Sequence, residues 1–266
     1  MTDDAQSPVV LAAQRLRAAA ESGKPCNPVR DLLGSTDVGL AYAVQQANAA
    51  ITRTQGRVRV GRKIGLTSEA VQRQLGVDQP DFGSLFDDMA ISSGGTVAPG
   101  RLLQPKVEAE VAFVLGADLD GPLESVDDVR AAVAGAAAAI EIVDSRVANW
   151  DISIVDTVAD NASSGLYVVS EAVLPLTEVD PVTVQMTLRL NGEVASAGEG
   201  RACLGDPLNA VLWLARTAQE LGDPLRAGEI VLSGALGPMV VVEPGDTVSA
   251  EISQLGSVAV SFEAEE

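Results

Sequence analysis

The chain has 266 residues, with 18 Lys+Arg against 37 Asp+Glu, a net charge of −19 and a sequence pI near 4.2. That balance argues against a phosphate-tracking nucleic-acid binder and against docking on anionic lipid, and an aromatic content of 3% leaves little for base-stacking platforms. With 47% apolar residues the chain can bury a sizeable core, as one large domain or as a core with a smaller helical piece.

The helices come first. Ser7-Pro8 places a cap before a proline at the first helical position, Val9, Leu11, Ala12, Leu16 and Ala19 supply an apolar stripe, and Gly23 stops it. A second helix is expected from Ser35-Thr36-Asp37 to about Gly56, carrying Val38, Ala41, Val44, Ala47 and Ile51. Residues 1–56 therefore read as a helical N-terminal region and 57–266 as a β-rich core. Val58, Val60 and Ile64 predict a strand, followed by a short helix over Ser68–Leu75 and a loop at Asp78-Gln79-Pro80-Asp81-Phe82-Gly83. Val107–Leu115 predicts a strand, Ser125 with Asp128 a capped helix to about Ala134, and Ala139–Val143 another buried strand. Val184–Leu190 ends in Asn191-Gly192, a hairpin signal, and Asp206-Pro207 opens a helix that stops at Gly222. Four apolar runs make the C-terminus strand-rich: 230–232, 239–242, 248–252 and 258–262. The sum is a mixed α/β (α+β) protein. Met1-Thr2-Asp3-Asp4 lacks the basic-then-apolar pattern of a targeting segment, no apolar run reaches membrane-span length, and a cytoplasmic location is expected.

There is no histidine anywhere in the sequence. Ser-His-Asp and Cys-His catalysis, His-ligated metal sites and imidazole acid–base chemistry are thereby removed. Cys26 and Cys203 read as free thiols.

Carboxylates carry the chemistry that remains. In the predicted strand, Val107, Ala109, Val111, Phe113 and Leu115 share one face, and Glu108, Glu110, Ala112 and Val114 share the other. Glu108 and Glu110 thus point the same way, roughly 7 Å apart along the strand, on a face that turns apolar beyond them. Glu141 lies within Ala137–Val143, where a lone carboxylate is costly to bury unless paired or metal-bound. If the two strands are neighbours, three carboxylates converge, a donor set suited to a hard cation such as Mg²⁺ or Mn²⁺ with positions left open for a chelating 2-oxo acid. The resulting −1 charge calls for a nearby cation, and Lys63, late in its strand in Arg62-Lys63-Ile64-Gly65, is the candidate. Asp144 and Arg146 read as a structural ion pair, Asp151, Asp156 and Asp160 as turn and cap residues, and Trp150 and Trp213 as core or interface. The Gly234–Pro238 loop lacks a phosphate-cradle pattern.

Four segments occur in order: Gly61-Arg62-Lys63-Ile64-Gly65-Leu66-Thr67-Ser68, Gly76-Val77-Asp78-Gln79-Pro80-Asp81-Phe82-Gly83, Gln104-Pro105-Lys106-Val107-Glu108-Ala109-Glu110, and Asp156-Thr157-Val158-Ala159-Asp160-Asn161-Ala162-Ser163-Ser164. With Cys203–Ala210 and Ser233–Met239 they resemble the 2-keto-4-pentenoate hydratases of aromatic meta-cleavage pathways, within the fumarylacetoacetate hydrolase-like superfamily, over nearly the whole chain. The resemblance implies a mixed β-roll-like core of the fumarylacetoacetate hydrolase C-terminal-domain type. It implies a divalent metal on Glu108, Glu110 and Glu141, substrate binding and proton transfer by Lys63 and Asp81, and a site wall at Ser163 or Ser164. It also implies a homo-oligomer, a pentamer or decamer, and a complex with a pathway decarboxylase or aldolase.

The expected reaction is hydration of 2-hydroxypenta-2,4-dienoate to 4-hydroxy-2-oxopentanoate. The alternatives are decarboxylation of 4-oxalocrotonate, a hydratase for a longer 2-oxo-enoic acid, and a non-catalytic partner of a pathway decarboxylase. Hydrolysis of acylpyruvates is disfavoured, because the His-Glu pair of the hydrolytic relatives cannot exist here. Asp81 is expected on a loop that closes over the site and so becomes desolvated.

Overall fold

The structure is a computed structural model and describes residues 7–68, 72 and 77–264. Its N-terminal helices are α1 (Pro8–Ser22), the short α2 (Arg30–Leu33) and α3 (Val38–Thr54). Gly23 takes the left-handed conformation that ends α1, and Asp37 caps α3 by accepting from the Leu40 amide. Ala12, Ala13, Leu16, Val29, Ala41 and Val44 pack with Val155, Val158 and Ala159 of a later helix in a small core of their own.

Two sheets follow among the described residues. Their strands are β1 (Arg59–Gly65), β2 (Asp81–Phe86), β3 (Ala90–Ser92), β4 (Gly95–Val97) and β5 (Lys106–Leu115). Helix α4 (Val126–Ala132), with its Ser125/Asp128 capping box, leads into β6 (Val133–Val143). Then come α5 (Ile154–Ala159), β7 (Ser164–Val169), β8 (Gln185–Leu190), β9 (Glu193–Glu199), α6 (Pro207–Glu220), β10 (Ile230–Ala235), β11 (Val240–Val241), β12 (Thr247–Ile252) and β13 (Gly256–Phe262). An eight-stranded mixed sheet runs β2-β1-β10-β5-β6-β7-β3, with β11 also on β5, and a five-stranded sheet runs β4-β13-β12-β8-β9. Both Asn191 and Gly192 have positive φ, 52° and 85°, as a tight β8–β9 hairpin requires.

The main core lies between the sheets. Val107, Ala109, Val111 and Phe113 of β5 and Ile140 and Ile142 of β6 meet Met186, Leu188, Val248, Ala250, Val258 and Val260, with α6 closing one end through Leu208, Val211 and Leu214. The opposite face of β5 and β6 continues past the acidic residues into Ala112, Ala137 and Ala139, packed with Leu85, Tyr167 and Leu232.

Three expectations change. The Ala-rich stretch is strand from Val133 onward, not a helix to Ala134 followed by a gap. Ala136–Ala139 are fully buried on both faces between β5 and β7, where small side chains let the layers approach, and this packing overrides the helix preference of alanine. The Pro-Asp-Phe-Gly segment is strand β2 from Asp81, paired antiparallel with β1, rather than a loop. Helices α2 and α5 were not expected; α2 is one turn, and α5 lies inside the Asp156–Ser164 motif. The helix expected at Ser68–Leu75 falls largely outside the described residues.

Candidate active site

Register builds the acidic cluster. Glu108 of β5 lies directly opposite Glu141 of β6, and Glu110 is opposite Ala139, so all three carboxylates project from one face. A carboxylate oxygen from each lies within 4.8 Å of the others. Glu110 and Glu141 are buried, and Glu108 is half-buried at the rim.

The cluster is short of donors. Glu110 Oε2 accepts from the Gly234 amide at 2.7 Å. This bond depends on the irregular register of β10 between Leu232 and Ala235 and on Gly234 at φ 105°, where a Cβ would also collide with Thr67. Lys63 Nζ of β1 lies 2.9 Å from Glu141 Oε1 of β6, with β10 and β5 between the two strands in the sheet. Among the described residues, Glu110 Oε1 and Glu141 Oε2 are buried without a hydrogen-bond partner. Such oxygens are costly unless a proton or cation meets them. An all-carboxylate donor set of this kind fits a hard divalent ion.

The charges respond accordingly. Burial, reinforced by Glu141 and Asp81 and opposed by Lys63, pushes the Glu108 carboxyl up to about 7. Burial and the Glu141 and Glu108 charges raise the Glu110 carboxyl well above the usual range. For Lys63, burial favours the neutral amine, but Glu141, Asp81 and Glu108 together outweigh it and raise the pKa, so the side chain stays an ammonium.

Asp81 stands beside this cluster at the start of β2, opposite Gly65. A Cβ on Gly65 would run into Asp81 Oδ1, so glycine there makes room for the carboxylate. Asp81 is 2% exposed as it stands. Its desolvation comes from a fixed strand, which corrects the expectation of a closing loop. Burial raises its pKa, with Lys63 opposing and Glu141 assisting. Thr157 Oγ1 of α5 lies 3.4 Å from Asp81 Oδ2 and 3.3 Å from Ser163 Oγ.

Ser163 ends a run of three non-glycine residues at positive φ: Asn161 at 57°, Ala162 at 51° and Ser163 at 53°. Such backbone costs of order 1–3 kcal/mol per residue and persists only where the surroundings over-determine it. Here Asn161 exchanges hydrogen bonds with Ser84 in both directions, at 2.8 and 2.9 Å, and its carbonyl accepts from Ser164 Oγ at 2.7 Å. Ser163 lines the same cavity as Lys63, Asp81 and Glu108, whereas Ser164 lines a separate one.

A cavity of about 290 Å³ contains Lys63, Asp81, Glu108 and Ser163 in its wall; Glu110 and Glu141 do not line it but are buried beside Glu108. Larger space exists elsewhere, in a groove of about 600 Å³, but that groove holds none of these four. Sequence reasoning missed Thr157, Lys106 and Trp150 as cavity residues. Trp150, expected in the core or an interface, lines the cavity with Lys106 Nζ 4.2 Å from its ring centroid. The signal for Lys106 was its i−2 spacing from Glu108; Thr157 gave none beyond its place in the motif.

Arg146 pairs with Asp160 at 2.5 Å rather than with Asp144. Asp144 instead accepts from the Leu103 and Gln104 amides at 3.0 and 2.6 Å, since it emerges from β6 against that loop. Burial pushes the Asp160 carboxyl up to about 6 despite Arg146. Asp156 and Asp151 bind Arg30 and are structural, as expected. Trp213 packs edge-on against Phe82 with centroids 6.4 Å apart.

A mixed double-sheet fold carries a donor-poor carboxylate cluster that could hold a metal ion, beside a buried lysine and a buried aspartate. The chain belongs to the fumarylacetoacetate hydrolase family: residues 44–263 match the family described as fumarylacetoacetate (FAA) hydrolase C-terminal. It is 52% identical to 2-keto-4-pentenoate hydratase 2 of Dechloromonas aromatica, over 98% of this chain and 100% of that one. It is 54% identical to the 2-keto-4-pentenoate hydratase of Paraburkholderia xenovorans, over 95% and 94%. Among solved structures, 4-oxalocrotonate decarboxylase from Pseudomonas putida G7, complexed with magnesium and adipate, superposes with a TM-score of 0.92 at 35% identity, over 96% of this chain and 97% of that one. Among the described residues no helix is long and apolar enough to cross a membrane.

Proposed function

We infer that the protein is a divalent-metal-dependent hydratase that converts 2-hydroxypenta-2,4-dienoate (the enol of 2-keto-4-pentenoate) to 4-hydroxy-2-oxopentanoate in the catabolism of aromatic compounds. The observation that carries this reading is identity above 50% to hydratases of that name over nearly the whole chain, combined with the buried, donor-poor three-Glu cluster. Glu108, Glu110 and Glu141 are the proposed ligands, and Mg²⁺ or Mn²⁺ is the proposed ion. When bound, the ion supplies the Lewis acidity that polarises a 2-oxo acid head group.

The remaining steps fall to side chains. Lys63, held as an ammonium, neutralises and orients the substrate's anionic head. Asp81, whose burial favours the protonated form closer to neutral pH than a free aspartate, carries the proton that reaches carbon. Protonation at C5 with loss of the enol O–H proton converts the dienol to 2-oxopent-3-enoate. Water then adds at C4, and a proton at C3 completes a net gain of one water. Ser163 and Thr157 hold the Asp81 side of the cavity through their hydroxyls.

The same proposal takes 57–266 as the metal-binding core and 1–56 as a helical region covering it, since every proposed ligand falls in the former. It also takes the protein to be a cytoplasmic homo-oligomer, a pentamer or decamer, able to pass product to or from a pathway decarboxylase or aldolase.

One second reading has a specific observation behind it. Decarboxylation of 4-oxalocrotonate is favoured by the superposition on that decarboxylase over 97% of its chain. Supplying each substrate with Mg²⁺ and following product masses separates the two. Gain of one water from the dienoate is the expected result, and release of carbon dioxide with no hydration overturns the first reading.

A further inference from the structure

Lys63 and the acidic cluster leave one cation of the cavity unused. Lys106 opens β5 two residues before Glu108, so it leaves the strand on the acidic face. It lines the site cavity of about 290 Å³, and it also lines the adjoining groove of about 600 Å³. Lys106 and Trp150 are the two residues common to both linings. The ammonium sits over the Trp150 ring, 4.2 Å from its centroid. That ring is itself pinned, because its indole N–H donates to the Gln104 carbonyl at 3.0 Å.

Charge explains why a cation at this junction matters. The chain carries a net −19. At the inner site, Asp81 and Glu108 of the cavity wall and the buried Glu110 and Glu141 clustered with Glu108 oppose Lys63 and a divalent ion, which leaves it neutral to negative. In the groove, Glu243 and Glu263 are acidic, and Lys106 is the one cationic lining residue among the described residues. An anionic substrate approaching through the groove therefore meets a single attractive charge before Lys63, where a cleft with low-dielectric walls focuses its field.

We propose that Lys106, seated on Trp150 where the groove meets the cavity, captures the substrate carboxylate and hands it inward, with the groove as the route of approach. This rests on the 2-oxo acid reading above. Lys106 is a positioning residue of the approach, and its contribution appears in kcat/KM and its salt dependence more than in kcat.

The test uses the Mg²⁺-loaded full chain as wild type, Lys106→Met and Lys106→Arg. Methionine keeps an apolar stem against Trp150 and removes the charge, and arginine keeps both the charge and the stacking. Each protein is assayed on 2-hydroxypenta-2,4-dienoate at low and high ionic strength, and its oxalate affinity is measured by calorimetry. At low ionic strength Lys106→Met should lose about tenfold in kcat/KM, mostly through KM, and should converge on wild type at high salt as screening removes the effect. Lys106→Arg should stay near wild type, and oxalate affinity should follow the same order. A methionine variant with wild-type kcat/KM and wild-type salt dependence overturns the proposal and leaves a packing role. If the wild type itself fails to turn over the dienoate, the functional reading falls, and the oxalate arm still decides: equal affinity in wild type and Lys106→Met rejects the capture role.

Discussion

Two groups of buried carboxylates in this molecule are opposites. Asp156 is fully buried, yet it accepts from the Val29, Arg30 and Ser153 amides, from Ser153 Oγ and from the Arg30 guanidinium, all at 2.6–2.9 Å. Burial works to raise its pKa, but this donor set outweighs burial and lowers it. The aspartate locks the α1–α2 connection to the start of α5. Among the described residues, the glutamate cluster has one amide and one ammonium for three carboxylates, and two of its buried oxygens have no partner. Burial alone therefore does not distinguish a structural acid from a functional one; the count of donors does. A filled donor set fixes the chain, while an unfilled one is an electrostatic debt that a ligand settles.

Substitution of the acids breaks the comparison most sharply. Glu108→Gln should lower metal affinity and turnover by at least about 100-fold, because the amide keeps the shape but removes one of three ligand charges. The metal-free variant should remain folded and melt at or above wild type at pH 8, since one like charge has gone. Metal titration by calorimetry and a thermal melt check both halves. Full activity after exhaustive chelation would reject the metal assignment altogether.

Asp81→Asn tests the neighbour that is buried but not a proposed ligand. Turnover should drop by about 100-fold, within the usual range for loss of a proton-transfer group, with metal affinity nearly unchanged. A kcat within a few-fold of wild type would leave Asp81 with only a structural role.

Asp156→Asn should give the reverse pattern of Glu108→Gln. Breaking a buried, charge-assisted set from one side costs about 3 kcal/mol, read in denaturant unfolding, while the folded fraction keeps its metal affinity. A stability equal to wild type would remove the distinction drawn from donor counting.

Acidity separates the two groups in opposite directions. Glu108 is raised to about 7 in the metal-free protein, so the folded state binds a proton more tightly than the unfolded chain does. Its contribution to metal-free stability therefore falls as pH rises from the ordinary carboxylate range to about 7. Asp156 is lowered, so its contribution is present above the ordinary range and is lost as pH falls through the depressed value. If Glu108 is a ligand, metal binding must displace its proton, so affinity should weaken as pH falls below about 7. Calorimetry in buffers of different ionisation enthalpy measures the released proton; no release at pH 6.5 would contradict this.

The smallest effect is expected at Ser163→Ala. Its hydroxyl touches Thr157 Oγ1 at 3.3 Å, a long contact, and its loss should reduce kcat/KM only about threefold. A loss comparable with Asp81→Asn would mean that the hydroxyl itself meets substrate.

The sequence by itself determined what is local or periodic. A period of two in Val107–Leu115 assigned the faces of β5, caps and glycines marked α1, α4 and the β8–β9 hairpin, and the lack of histidine limited the chemistry to carboxylates, lysine and hydroxyls. Only the tertiary structure decided what depends on neighbours. Glu141 could be recognised as costly in an apolar strand, but its meeting with Glu108 needed the β5–β6 register. Asp81 looked like a loop residue because Pro, Asp and Gly are turn formers, yet pairing with β1 made it a strand residue. The alanine run became a strand because two faces of packing outweigh a helix preference worth a few tenths of a kcal/mol per residue. Trp150 and Lys106 joined the cavity wall through a contact between a strand and a distant turn, and Arg146 found Asp160 rather than Asp144 for the same reason. Local pattern fixes which way a side chain leaves its own element, and only the packing of elements fixes which other side chain it meets.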